Sequence, residues 1–185
     1  MWFKGHNQIV PFFYRKILLM VNNYTFVAKK NYMHSFLQKK IKFNHKVSVQ
    51  IRFEDLDIAG HVNNAVYFSY FNYARMIYFK DVIDANFDWV KFGIVLVNMN
   101  VDFYEPIFLN DEICILTKIV GIGNKSINMI QTVEKKDKNG NTVIVAACSS
   151  VLVGYDYKNK KSLVVPKHWK DLIVDFEKNV VLKSN

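Results

Sequence analysis

Ala65, Val66, Tyr67, Phe68, Tyr70, Phe71, Tyr73, Ala74, Met76, Ile77, Tyr78 and Phe79 point in nearly every direction around a helical axis. A helix that is apolar on most sides is a buried helix. Its polar residues Ser69, Asn72 and Arg75 recur at spacing three and form one narrow stripe. The run is too short, and too polar at Arg75, Lys80 and Asp81, to span a membrane. The remainder of the chain has to enclose it.

The pattern on either side of this helix supplies the means. Residues 94–104, 112–120, 126–134 and 142–155 alternate or run as short β-branched stretches, and residues 46–53 read as a first strand ahead of the helix. Lys138-Asn139-Gly140 predicts a hairpin with a type I′ turn, Gly121-Ile122-Gly123-Asn124 a second turn, and Pro106 with Asn110-Asp111 a third. The order strand, helix, four strands predicts an α+β fold with an antiparallel sheet of about five strands around one long central helix. After Pro166, the spacing of Trp169, Leu172, Ile173 and Phe176 predicts a short amphipathic helix covering an edge.

Chemistry concentrates just before the central helix. Asp57 is followed by Ile58-Ala59-Gly60, His61-Val62 and Asn63-Asn64. Asn is a preferred N-cap, so a helix starting at Asn63 or Asn64 aims free backbone N–H groups and its positive dipole end toward Asp57. A polarised carbonyl fits between the two. Glu54 and Asp55 stand close by, and continued strand alternation would put Asp55 on the same side as Asp57, making it the fallback. Each residue also has a plainer role to weigh: Asp57 as a turn cap, His61 as a loop hydrogen-bonder, Asn63 as a helix cap and Tyr67 as core or pocket wall.

Asp57-x-x-Gly60-His61-Val62-Asn63-Asn64-x-x-Tyr67, with Ala74-Arg75 in mid-helix, resembles the hot-dog-fold thioesterases of the 4-hydroxybenzoyl-CoA thioesterase-like group. Further stations follow in register: Asn100-Val101-Asp102-Phe103-Tyr104-Glu105-Pro106, Asn110-Asp111-Glu112, Gly123-Asn124-Lys125-Ser126, Val151-Leu152-Val153 and Val165-Pro166. The resemblance implies a hot-dog acyl-CoA thioesterase with catalytic Asp57, Asn64 and His61, and with Gly60, Asn63 and Tyr67 at the substrate. It implies an acyl-CoA or acyl-carrier-protein thioester as substrate, no cofactor, and a homodimer or homotetramer with the cleft between subunits. A hot-dog hydratase or dehydratase and a non-catalytic acyl-thioester-binding module are the alternatives.

The chain has 185 residues and a net charge of +9, and all of that charge is N-terminal. Nine basic residues and no acid precede position 50, whereas the 16 basic residues beyond it match 16 acidic ones. The expected division is a basic extension over 1–45, a thioesterase domain over 46–169 and a helix or tail over 170–185. The extension is read either as an arm, with organellar targeting as one role, or as upstream sequence ahead of a start at Met20 or Met33. No nucleic-acid partner, stable membrane insertion or metal site is expected, and the location expected is cytoplasmic. Cys114 and Cys148 lack CxxC spacing, the five histidines lack ligand spacing, and no P-loop or GxSxG occurs.

Overall fold

Asn63 converts an extended segment into a helix. Its backbone is extended at φ −61°, ψ 139°, and its side-chain Oδ1 accepts from Ala65 N at 2.9 Å. The helix that follows, α1 (Asn64–Val82), buries Tyr67, Tyr70, Phe71, Ala74, Tyr78, Phe79 and Val82. These observations come from a computed structural model that describes residues 41–84 and 92–182, all but the first of them within the compact unit Lys42–Asn185. Nearly all of the 1–45 extension lies outside the described residues.

Among the described residues the sheet has five main strands, β1 (His45–Val49), β2 (Gly93–Phe103), β3 (Ile113–Ile122), β4 (Ser126–Lys136) and β5 (Thr142–Asp156). They lie in the order β1-β3-β4-β5-β2, with every neighbouring pair antiparallel. Two short strands extend it: β6 (Lys161–Leu163) pairs with β5, and β7 (Val181–Leu182) runs parallel to β3. Between them, α2 (Lys167–Glu177) covers part of the core. α2 begins at Lys167, so the expected boundary at 169/170 falls inside a helix.

Two expectations are corrected. The first strand stops at Val49 and does not reach Phe53; Phe53–Asp55 forms a single 3-10 turn, held by Asp55 N donating to Arg52 O at 3.1 Å. The β4–β5 turn is not type I′, because only Gly140 has positive φ (80°) and Asn139 does not. Asp137 dictates this shape: its Oδ1 accepts from both Asn139 N and Asn141 N at 2.8 Å, a local bond that competes with the two-residue turn.

α1 lies along the sheet over two apolar clusters. Tyr67, Tyr70, Phe71 and Ala74 pack with Ile113, Ile115, Val133, Val145 and Ala146, while Tyr78, Phe79 and Val82 pack with Ile119, Ile122, Leu152, Trp169 and Ile173. Buried Gln131 of β4 ties helix to sheet, donating to Phe71 O at 3.0 Å and Thr117 Oγ1 at 3.1 Å. One flank of α1 stays uncovered by this chain's described residues, with Phe68 47%, Tyr73 43% and Met76 39% exposed.

A buried ionic latch fastens α2. Glu177, four positions after Ile173 and so on the same helical face, is fully buried. It accepts from Lys118 Nζ at 2.8 Å, Tyr78 Oη at 2.8 Å and Ile119 N at 3.1 Å, which joins α2, β3 and α1. Burial, and then the charge of Glu177, raise the Tyr78 hydroxyl far above its ordinary pKa. Glu177→Ala strands the Lys118 ammonium inside the protein, and we expect it to lower unfolding free energy by about 3–5 kcal/mol. Adding Lys118→Met should recover most of that loss in urea unfolding curves; a single-mutant loss under about 1 kcal/mol would contradict the latch.

Candidate active site

The loop preceding α1 closes on itself. Asp57 N donates to His61 O at 2.8 Å, Gly60 N donates to Asp57 O at 2.9 Å, and Leu56 and Val62 form an antiparallel bridge. Gly60 occupies φ +76°, where a side chain would be strained. Two longer bonds fix the loop to its surroundings: Val62 N donates to Ile107 O at 2.9 Å, and Asn63 N donates to Asp55 O at 2.8 Å. The motif residues Asp57, Gly60, His61, Asn63 and Asn64 are thereby gathered at the N-terminus of α1.

The three neighbouring carboxylates have different duties. Asp55 is structural, since its Oδ2 accepts from Tyr70 Oη at 2.6 Å and from Arg52 N at 2.8 Å. Glu54 is exposed, with Arg52 at 3.7 Å. Asp57 is exposed, and its Oδ1 accepts from Ala59 N at 2.8 Å and His61 N at 3.3 Å. Its Oδ2 accepts no hydrogen bond from any described residue. Because the strand ends early, the alternation that would have equated Asp55 with Asp57 does not apply.

The helix start provides the complementary charge. N–H groups at a helix start lack the usual intrahelical acceptors, and Asn63 takes two of them, that of Ala65 on its side-chain Oδ1 and that of Val66 on its carbonyl oxygen, each at 2.9 Å. The Asn64 N–H stays available at the positive end of the dipole. The His61 ring stands edge-on to Phe108, with centroids 4.9 Å apart and planes at 83°. Tyr67 is 2% exposed and meets Phe103 edge-on at 4.9 Å, so it forms the wall beneath the site. Lys135 anchors the loop that carries Phe108, donating to Asp111 Oδ2 and Pro106 O, each at 2.8 Å.

Phe103, Ile107 and Phe108 also stand at the candidate site; Phe103 belongs to the Asn100–Pro106 station, whereas Ile107 and Phe108 fall outside every motif. Ile107 and Phe108 are apolar, and their nearness to the motif in space is what singles them out. Two cavities, of about 440 and 240 Å³, lie away from Asp57: one beside α2, the other between α1 and β2, lined by Asn72, Arg75, Met76, Phe79, Ile94, Leu96 and Leu152. Asp57 and Asn64 stand on an open face. Among the described residues, no three His, Cys, Asp or Glu side chains group to hold a metal ion, and no helix is long and apolar enough to cross a membrane.

An antiparallel sheet around one long helix, with the Asp-x-x-Gly-His-Val-Asn-Asn loop at that helix's N-terminus, is the hot-dog architecture of thioester hydrolases. The sequence matches the thioesterase-like superfamily over residues 51–173, and the chain belongs to that family. It is 26% identical over 125 residues to the long-chain acyl-CoA thioesterase FadM of Escherichia coli, covering 65% of this chain and 89% of that one. A thioesterase from Thermus thermophilus, solved with coenzyme A and zinc, is 34% identical and superposes with a TM-score of 0.62 over 74% of this chain and 96% of its own. A mutant of 4-hydroxybenzoyl-CoA thioesterase bound to 4-hydroxybenzoyl-CoA, 21% identical, shares the fold at a TM-score of 0.64 over 69% of this chain and 96% of its own.

Burial, then the hydrogen bond from its hydroxyl to Asp55, raises the pKa of Tyr70 well above the ordinary value. A raised folded-state pKa gives stability that is whole below the unfolded tyrosine value near 10 and is lost as pH climbs past it. Tyr70→Phe should therefore cost about 1–2 kcal/mol at neutral pH and flatten the decline in stability at alkaline pH. Urea midpoints measured from neutral to alkaline pH test both; an unaltered alkaline slope would remove Tyr70 from the account.

Proposed function

We propose that this chain hydrolyses acyl-CoA thioesters, with Asp57 as the catalytic carboxylate and the Asn64 N–H as the donor to the thioester carbonyl. The observation that carries this reading is the free Oδ2 of Asp57, on a loop that leads directly into the Asn63-capped start of α1. The named activity of FadM and the coenzyme A bound to the Thermus thioesterase support the substrate class.

Attack at the thioester carbon moves negative charge onto the carbonyl oxygen. A preorganised N–H at that point is worth roughly 2.7–4 kcal/mol in comparable sites. Asp57 Oδ2 takes the proton of an attacking water, or bonds to the carbonyl carbon to give a transient anhydride that water then opens. In either course the C–S bond breaks and coenzyme A leaves as its thiol. His61 orients the loop: its N–H holds Asp57 Oδ1 and its ring rests on Phe108. Gly60 and Asn63 give the bend and the cap, and Tyr67 the floor.

The same reading requires a second copy. β2 pairs with β5 along one side and presents its other edge without a partner among the described residues. Leu96 and Val97 are exposed on that strand, next to the bare flank of α1. A long unpaired apolar edge invites pairing with another chain. Antiparallel self-pairing of β2 across a two-fold is the closed solution, and it covers both features together. The face carrying Asp57 then becomes a cleft between two subunits.

Two outcomes are expected. Asp57→Asn keeps an oxygen for the Ala59 and His61 N–H groups, so the loop survives while the base is lost. Thiol release from an acyl-CoA panel should fall by about 10²–10⁴-fold with the oligomer intact, and near-normal release would refute the role. Val97→Lys puts a charge on the free edge and should yield monomers in sedimentation runs with turnover lost in parallel; a fully active monomer would refute the intersubunit cleft.

A further inference from the structure

We infer that Arg75, in the cavity between α1 and β2, binds a carboxylate at the far end of the acyl group, so that the substrates are thioesters of dicarboxylic acids. The inference rests on the thioesterase reading above and deepens it by naming a substrate class. Arg75 stands in mid-helix on the polar stripe of Ser69, Asn72 and Arg75, and it is half-buried. Its Nη2 donates to Asn72 Oδ1 at 2.6 Å, which holds the guanidinium back toward the helix N-terminus. Its Nη1 is buried and has no hydrogen-bond partner among the described residues.

Such an arrangement is unfavourable for the subunit alone. A guanidinium does not shed its proton inside a protein, and a buried donor without an acceptor destabilises the fold. No carboxylate among the described residues forms an ion pair with Arg75. Burial lowers its pKa from the ordinary guanidinium value, and the titratable group acting on it is the Cys148 thiol, which burial pushes up to about 12 and so keeps neutral. The charge of Arg75 therefore lacks a counter-charge among these residues.

A second unpartnered group stands nearby. Ser150 is buried, and its Oγ has no hydrogen-bond partner either. Strand alternation puts it on the same face of β5 as Cys148, which packs with Tyr70 and Ala74 of α1, and Leu152, which lines the cavity. Ser150 thus lies between a neighbour of Arg75 and a wall of its cavity. The space of about 240 Å³ is otherwise lined largely by apolar side chains, among them Met76, Phe79, Ile94 and Leu96. An apolar pocket with few polar groups is the usual form of a small-molecule site, and a guanidinium with a free N–H beside a hydroxyl matches a carboxylate.

The helix links this cavity to the proposed reaction centre. Asn64, Phe68, Asn72 and Met76 recur at spacing four and form one row along α1, from the proposed carbonyl donor to the cavity wall. Phe68 and Met76 are exposed on the flank that the described residues leave bare, so the row offers an acyl chain an apolar track. From Asn64 to Asn72, which holds the guanidinium, the helix rises roughly 12 Å. An extended hydrocarbon advances about 1.25 Å per bond, so an acyl group of about ten carbons reaches from one to the other.

The test compares thiol release by the full-length chain from decanedioyl-CoA, linked through one of its two carboxyl groups, and from decanoyl-CoA. The unmutated protein should favour the first in kcat/KM by about tenfold to a hundredfold, the contribution of a hydrogen bond to a charged group. Arg75→Met should abolish that preference, and Ser150→Ala should weaken it. Each ratio is taken on one protein, so a general loss of activity does not imitate the effect, and Ser150→Ala decides the matter if Arg75→Met fails to fold. A preference for decanoyl-CoA in the unmutated protein, or an unchanged ratio in the variants, would overturn the inference. So would dissociation of an oligomer in sedimentation runs on Arg75→Met, since the arginine would then serve a carboxylate of a second copy. Calorimetry with free decanedioate and decanoate reads the cavity without turnover. If no thioester is hydrolysed, the thioesterase reading fails, while tighter binding of decanedioate that is lost in Arg75→Met still establishes the carboxylate site.

Discussion

A helix that is apolar on nearly every side has to be enclosed, and the described part of this chain encloses α1 on all but one flank. The sheet covers Tyr67, Phe71, Ala74 and Tyr78, and α2 adds Trp169 and Ile173 over Phe79. Phe68 and Met76 remain outside. The rest of the arrangement follows from this constraint. The sheet must be long and curved to wrap the helix, which makes β2 a long edge. The helix must enter the sheet from one end, which puts its N-terminus and the Asp57 loop there. Burial of apolar surface at roughly 25 cal/mol per Å² drives the enclosure, and the uncovered flank is apolar surface still exposed to water.

Placement of charge follows the same economy of burial. Where a carboxylate is fully buried, as with Glu177, a lysine, a tyrosine hydroxyl and a backbone N–H all meet it. Where a carboxylate is half-buried, as with Asp55, a tyrosine hydroxyl and a backbone N–H suffice. Asp57 is exposed and engages one oxygen only. That gradient explains how three acids within four positions take different roles without long-range design. Asp55 and Asp57 differ because the chain turns between them, which sends the first back toward Tyr70 and leaves the second on the open face.

Much of this was legible from residue spacing. The helix start at Asn63-Asn64, the four later strands and the amphipathic helix after Pro166 each carried a local signal of period or capping, and local signals dictate local structure. The first strand was read too long because Ile51, Arg52 and Phe53 alternate acceptably, while the 3-10 turn that ends it depends on Asp55 reaching back to Arg52 N. The β4–β5 turn misled for a related reason: Asn-Gly favours type I′, but Asp137, two residues before Asn139, offers the backbone a competing bond. Ile107 and Phe108 reach the site through tertiary folding alone, and no spacing along the chain announces that.

Sheet length has a further consequence for how such a subunit can work. A strand of eleven residues holds the Asp57 loop and the β5–β6 turn at opposite ends of the sheet. Antiparallel pairing of identical edges exchanges ends by symmetry, which needs no additional residue to be specified. In the proposed dimer, the same edge that would be a liability in an isolated subunit puts the Asp57 loop of one copy beside the opposite sheet end of the other. On the proposed reading, occupancy of the cleft and integrity of the dimer are coupled, because a ligand that touches both copies binds only the assembled form and stabilises it by mass action.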